Sequence, residues 1–216
     1  LGSVLYNYRS TKEVTLDTMI NHSKSVRQGV KKSLMVVDMP YNTYRNPKEA
    51  LKNARLIMKK TKCDAVKLEG GKKIISIVKL LVRNKIPVMG HLGILPQTEK
   101  KFTYKGKILS ERNRILQDAK LLQKAGIFSI VLECIETKLA KQITKQLNII
   151  TVGIGSSANC DGQVLVIDDL IGLSKSKFRF VKKYANINQI INSAVKKYRL
   201  EVLRKKFPEA KHSFNN

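Results

Sequence analysis

Four short apolar runs in this chain each stop on an ionisable residue. Leu34-Met35-Val36-Val37 ends at Asp38, Ala65-Val66-Lys67-Leu68 at Glu69, Pro87-Val88-Met89-Gly90 at His91, and Ile130-Val131-Leu132 at Glu133. Asp38 and Glu69, at the ends of consecutive strands, can converge as two hard oxygen donors. Such a pair suits Mg²⁺, which prefers oxygen ligands and keeps part of its water shell. Lys67 lies two residues before Glu69, so the alternation of a strand puts both on one face. A lysine there pairs with a carboxylate or waits for an anionic substrate. Glu133, held at an apolar strand end, is the candidate general base acting on a carbon acid. His91 stands between Gly90 and Gly93, which leave room for a ligand or simply let the strand turn. Gly153-Ile154-Gly155 could cradle an anion, though a two-glycine strand end is commonly a turn.

Strands that finish in polar side chains, with helices between them, are the one-dimensional image of a β/α barrel, whose chemistry gathers at the carboxyl ends of its strands. The periodicity predicts strands at Leu34–Val37, Ala65–Leu68, Pro87–Met89, Ser129–Leu132, Ile150–Gly153 and Val164–Ile167. Helices are predicted from Thr15 to Gly29, from about Pro47, from Lys72 to about Asn84, at Leu109–Ala125, at Thr137–Leu147 and from about Ile187 to Lys206. Thr15 can cap the first, Pro47 suits a first turn, and Gly126 closes the helix before it. This βα rhythm demands a parallel sheet. The expected fold class is therefore α/β, a (β/α)8 TIM barrel forming a single domain over residues 1–216. A closed barrel has eight strands in about 250 residues. Six strands and a start at Leu1-Gly2-Ser3 give the expectation that the first two strands are missing and the barrel is incomplete at its amino terminus. A doubly wound sheet is the structural alternative. No G-x-G-x-x-G follows the first strand, and the polar strand ends are spread over four strands, which disfavours it.

With 216 residues, 43% hydrophobic and 27% charged, the chain can bury a core. Its formal net charge of +26 would ordinarily suggest nucleic acid or an anionic surface. The lysines are dispersed, however. In Lys48–Lys60 they fall opposite Ala50, Leu51, Ala54, Ile57 and Met58, the solvated side of an amphipathic helix. Aromatic residues are only 6% and there is no tryptophan, so no basic stripe interleaved with stacking rings exists and no specific nucleic-acid partner is expected. No apolar stretch approaches the roughly 20 residues of a membrane span. The start does not read as a signal peptide. Cys63, Cys134 and Cys160 form no C-x-x-C pair, which fits reduced thiols and a cytoplasmic location.

Taken in order, the motifs resemble one family, the ketopantoate (3-methyl-2-oxobutanoate) hydroxymethyltransferases of pantothenate biosynthesis. The resemblance is carried by Asp38-Met39-Pro40-Tyr41, Val66-Lys67-Leu68-Glu69-Gly70-Gly71, Gly90-His91-Leu92-Gly93 with Pro96-Gln97, and Val131-Leu132-Glu133-Cys134. Gly153-Ile154-Gly155, Asp161-Gly162-Gln163-Val164-Leu165-Val166 and the tail His212-Ser213-Phe214 continue it. It implies transfer of a hydroxymethyl group from 5,10-methylenetetrahydrofolate to 3-methyl-2-oxobutanoate, giving 2-dehydropantoate through a Mg²⁺-stabilised enolate. It also implies that Asp38 binds metal and substrate, Glu69 binds metal, Lys67 holds the keto acid and Glu133 removes the C3 proton. A homo-oligomer, a ring-like decamer, comes with the same resemblance. Three departures stand out. The family's Asp-Ser pair after its second strand would fall just before Leu1, the loop Thr98–Lys107 is shorter and lysine-rich, and Ser156-Ser157 replaces a small Ala-Gly. Two other readings remain: another Mg²⁺-enolate barrel, lyase-like, acting on a 2-keto acid, and a non-catalytic basic nucleic-acid-binding protein.

Overall fold

The computed structural model describes residues 1–97, 103–174 and 178–214. It divides into two compact units, Leu1–Val164 and Leu165–Asn216. The first unit opens with a short helix α1 (Gly2–Leu5) and the helix α2 (Leu16–Gly29). It then alternates β1 (Val36–Asp38), α3 (Pro47–Thr61), β2 (Ala65–Glu69), α4 (Ile75–Arg83), β3 (Val88–Gly93), α5 (Leu109–Ala125), β4 (Ser129–Glu133), α6 (Thr137–Gln146) and β5 (Ile150–Ile154). A two-residue strand β6 (Gly162–Gln163) completes it. Local chemistry sets the helix ends. The Thr15 side chain accepts the Thr18 N–H, Asn46 accepts the Glu49 N–H ahead of Pro47, and Gly126 takes the left-handed conformation at φ 100° that stops α5.

Among the described residues the six strands form one parallel sheet in the order β1-β2-β3-β4-β5-β6. A doubly wound sheet reverses its strand order partway; this one does not. Uniform right-handed crossovers then put the intervening helices on a single side. The register agrees. Val37, Val66, Leu68, Val88, Leu92, Ile130 and Leu132 share one face and join the core with Ala54 and Ile57 of α3, Val78 and Leu81 of α4, Ala119 and Leu122 of α5, and Leu139 and Ile143 of α6. The opposite face carries Asp38, Lys67, Glu69, His91 and Glu133. The result is an α/β fold built on a curled parallel sheet, singly wound as in a barrel.

Several boundaries shift by one to three residues from those the sequence predicts: β1 begins at Val36 rather than Leu34, α4 at Ile75 rather than Lys72, and the last long helix ends at Leu203 rather than Lys206. Two differ by more. The third strand runs on through Leu92-Gly93, so His91 lies inside β3 rather than at its end. The sixth strand is not Val164–Ile167. Its ladder is Gly162–Gln163 against Val152-Gly153, and Ile167 begins a short helix, α7 (Ile167–Leu170), in the second unit. Asp161 explains the shift. Its carboxylate accepts the Thr151 N–H and hydroxyl at 2.8 and 2.9 Å, which docks the chain onto β5 a few residues early. Beyond α7, the second unit holds α8 (Ile187–Leu203), none of whose residues is buried. The tail folds back on it, with the Phe207 ring 5.5 Å from Tyr198 and 5.3 Å from His212. Of the predicted loop Thr98–Lys107, residues 98–102 lie outside the described residues. Lys105 joins the backbone of Cys134 and Glu136 by two 2.8 Å hydrogen bonds.

Gly93 has φ 106°, and a Cβ placed there would collide with the carbonyl oxygen of Glu133. Gly93→Ala therefore strains its own backbone and pushes on the strand end that carries Glu133. The expected loss of stability is about 3 kcal/mol, read as a lowered midpoint in urea; an unchanged midpoint would mean that β3 and β4 are not this closely joined.

Candidate active site

Neighbouring residues in a parallel register point the same way, and this assembles the polar face. Asp38 is level with Lys67, Glu69 with His91, and Gly93 with Glu133. Lys67 Nζ lies 3.1 Å from Asp38 Oδ1 and 3.2 Å from His91 Nδ1. His91 Nε2 lies 2.9 Å from the Ile94 carbonyl and 3.3 Å from Glu133 Oε2. A continuous polar line thus crosses four strands, from Asp38 through Lys67 and His91 to Glu133. Its ends differ. The Asp38 side chain is 45% exposed, whereas those of Lys67 and Glu133 are each 13% exposed.

Glu69 sits beside this line and is buried. Burial pushes its carboxyl above the usual carboxylate range, against any charge on His91, the Lys67 charge and the Gln97 N–H, while the Asp38 charge pushes the same way as burial. The Gln97 N–H donates to Glu69 Oε2 at 3.1 Å, and the Gln97 side-chain amide donates to the Met39 carbonyl at 2.9 Å. The Tyr44 hydroxyl in turn donates to Gln97 Oε1 at 2.9 Å. Burial, together with the Glu69 and Asp38 charges, raises the Tyr44 phenol well above its ordinary value, so it stays a donor. One glutamine therefore fastens the turn after β3 to the ends of β1 and β2. Cys134, next to Glu133, is pushed up to about 11 by burial and by the Glu133 charge, so it is a thiol and not a nucleophile.

The structure brings all four sequence-predicted site residues, Asp38, Lys67, Glu69 and Glu133, to one face. His91, left open between ligand contact and turn, is the link between Lys67 and Glu133. Tyr44 and Gln97 are additions. Gln97 belongs to the Pro96-Gln97 motif that carries the family resemblance, without a role assigned to it there. For Tyr44 the sequence signal is position alone, in the segment just past β1, where a barrel keeps its functional loops. Gly153-Ile154-Gly155 leads into a turn in which Gly155 has φ 60°. Among the described residues no three His, Cys, Asp or Glu side chains stand together as a metal cage. The donor set offered is two carboxylates on adjacent strands. It fits a hard cation that completes its shell with water and substrate oxygens, and a bound cation would relieve the raised proton affinity of Glu69.

A singly wound parallel α/β sheet with an acid–base line on one face defines a barrel-type enzyme fold. The same fold is seen in 2,3-dimethylmalate lyase, a PEP mutase/isocitrate lyase superfamily member, with a TM-score of 0.55 at 11% identity over 98% of this chain and 75% of that one. The family model for ketopantoate hydroxymethyltransferase matches residues 1–210. The 3-methyl-2-oxobutanoate hydroxymethyltransferase of Pelagibacter ubique is 66% identical over 99% of this chain and 83% of its own length. The protein of that name from Acetivibrio thermocellus is 47% identical over 99% of this chain and 77% of its own. The chain belongs to the ketopantoate hydroxymethyltransferase family and is a transferase.

Because burial raises the Glu69 proton affinity in the folded protein, ionising Glu69 costs the folded state more than the unfolded one. Its contribution to stability is fullest below the ordinary carboxylate value and declines as pH rises through the raised folded value. Glu69→Gln, without metal, should melt higher than the wild type at about pH 8 and converge with it near about pH 4. Parallel melting curves across that range would show that Glu69 does not carry this strain.

Proposed function

We propose that this protein transfers a hydroxymethyl group from 5,10-methylenetetrahydrofolate to 3-methyl-2-oxobutanoate. The observation that carries the reading is the 66% identity to the Pelagibacter enzyme over nearly the whole chain. The polar face supplies a chemistry to match. The keto acid is an anion, and Lys67 is the cation on the sheet face that would hold its carboxylate. The net charge of +26 favours the approach of such a substrate. Glu133, mostly buried at the end of β4, would be the base that takes the C3 proton. Water hydrolyses the N–CH₂–N bridge of the folate, breaking both C–N bonds and releasing tetrahydrofolate. The enolate carbon adds to the formaldehyde-level carbon so freed, and the oxygen on that carbon takes up the proton removed from C3 to become the hydroxymethyl group.

Asp38 and Glu69 would hold Mg²⁺. When bound, the ion would stabilise negative charge on the keto oxygen as the C3 proton leaves. Asp38 would also contact the substrate. Further strands beyond the open edges of the sheet, two for a closed (β/α)8 barrel, would cover the rest of the polar face. The same reading makes residues 1–216 part of one barrel domain and the protein a cytoplasmic homo-oligomer. No helix among the described residues is long and apolar enough to cross a membrane.

The test follows the C3 proton of 3-methyl-2-oxobutanoate in D₂O by NMR, with Mg²⁺ and then with methylenetetrahydrofolate. Exchange that needs the protein, followed by hydroxymethylated product, is the expected result. Exchange without product would favour a different enolate-forming reaction, and no exchange would remove the reading. Glu133→Gln should bind the keto acid normally and lose exchange by on the order of 10²-fold or more; exchange at the wild-type rate would discard Glu133 as the base. Asp38→Ala should weaken Mg²⁺ binding at least about tenfold in a calorimetric titration, and an unchanged titration would take Asp38 out of the metal site.

A further inference from the structure

We propose that His91 is a positioning residue that couples the substrate-holding lysine to the base, and that it does so as a neutral ring protonated on Nε2. The inference rests on the transferase reading for the roles of Lys67 and Glu133; the protonation state of the ring rests on geometry. His91 Nε2 faces two oxygens, the Ile94 carbonyl at 2.9 Å and Glu133 Oε2 at 3.3 Å. Both are acceptors, so Nε2 carries a proton. Nδ1 faces Lys67 Nζ at 3.2 Å, and that ammonium, paired with Asp38 at 3.1 Å, has only protons to offer. Nδ1 therefore accepts. A cationic ring would set N–H against N–H in a space where His91 is 3% exposed.

One imidazole thus does two separable things. Through Nδ1 it holds the Lys67 ammonium at a fixed point between β1 and β3. Through Nε2–H it holds the Ile94 peptide and fixes the edge of the Glu133 carboxylate. The Ile94 N–H donates to the Glu133 carbonyl at 2.9 Å, so the Ile94 contact also steadies the Glu133 backbone. Gly90 and Gly93 on either side fit this role: Gly93 lets β3 close directly on Glu133, and Gly90 lies against the Ile127 and Ile130 side chains on the helix side.

The two functions separate by substitution, because the amide nitrogen of glutamine reaches the place of Nε2 and the amide oxygen of asparagine the place of Nδ1. His91→Gln keeps the donor toward Ile94 and Glu133 and loses the acceptor for Lys67. It should raise the KM for the keto acid about tenfold with little change in kcat. His91→Asn keeps the acceptor and loses the donor, and should lower kcat about tenfold or more with KM nearly unchanged. A side chain that only fills space would move both constants together in both variants, and that pattern, or no change in either, overturns the proposal. A second measurement does not depend on turnover or on variants folding at position 91. Long-range ¹⁵N–¹H spectra of the wild-type rings, assigned with His22→Gln and His212→Gln, should show Nε2 protonated and Nδ1 bare at about neutral pH. A ring protonated on Nδ1, alone or with Nε2, overturns the proposal and leaves the transferase reading standing. Absence of wild-type turnover with the expected ring state removes the transferase reading, and the coupling role with it, and leaves only the ring assignment.

Discussion

Lys67 carries its charge on the inner face of a parallel sheet, with its side chain 13% exposed, and the polar architecture follows from keeping that charge partnered. An ammonium so placed needs a counter-charge on one side and an acceptor on the other, since desolvating it alone costs several kcal/mol. Asp38 on β1 provides the first and His91 on β3 the second. Once the ring of His91 is committed to Lys67, its other nitrogen must find acceptors, and Ile94 and Glu133 supply them. No described side-chain polar atom that is fully buried lacks a partner. A half-satisfied buried polar network is worse than an apolar one, so the line from Asp38 to Glu133 stands or falls as a unit.

That line depends on strand register, and register here is set by the other face. The period of a strand is two, so a slip of one residue would send Lys67, Glu69 and His91 toward α3, α4 and α5 and bring Val66, Leu68 and Gly90 to the polar side. The helix-facing residues forbid it. Val66, Leu68, Val88, Ile130 and Leu132 are fully buried against those helices, and each large aliphatic residue returned to water would cost about 1.5–3 kcal/mol. The apolar face thus supplies the energy that holds a charged face in place without contributing an atom to it.

What was legible in the sequence follows the same division. Asp38, Glu69 and Glu133 end strands β1, β2 and β4 as the pattern predicts, because an apolar run that terminates in a carboxylate is a strong local signal. Helix α5 matches its predicted limits, with Gly126 marking the stop. The extension of β3 through His91 was hidden because Gly90 and Gly93 read as a turn. Only pairing with β2 and β4, 22 and 40 residues away in the chain, keeps that segment extended. The sixth strand was misplaced for a related reason. Val164–Ile167 has the composition of a strand, but a two-residue ladder is decided by the contacts of Asp161 with Thr151 rather than by its own residues. Tyr44 and Gln97 were illegible as partners, since nothing local ties residues 53 positions apart.

The placement of Glu69 then has a physical reading. A carboxylate held above its usual proton affinity by burial is strained when ionised, and the Gln97 N–H, itself fixed by Tyr44 and the Met39 carbonyl, relieves only part of that strain. Such a group gains more from a cation than an exposed carboxylate does, because the cation removes a cost already present. Asp38, nearly half exposed and shared with Lys67, can exchange partners at little cost. The two acidic strand ends therefore differ in kind: on the proposed reading Glu69 would be the pre-stressed ligand that holds a cation, and Asp38 the adaptable one able to face both cation and substrate.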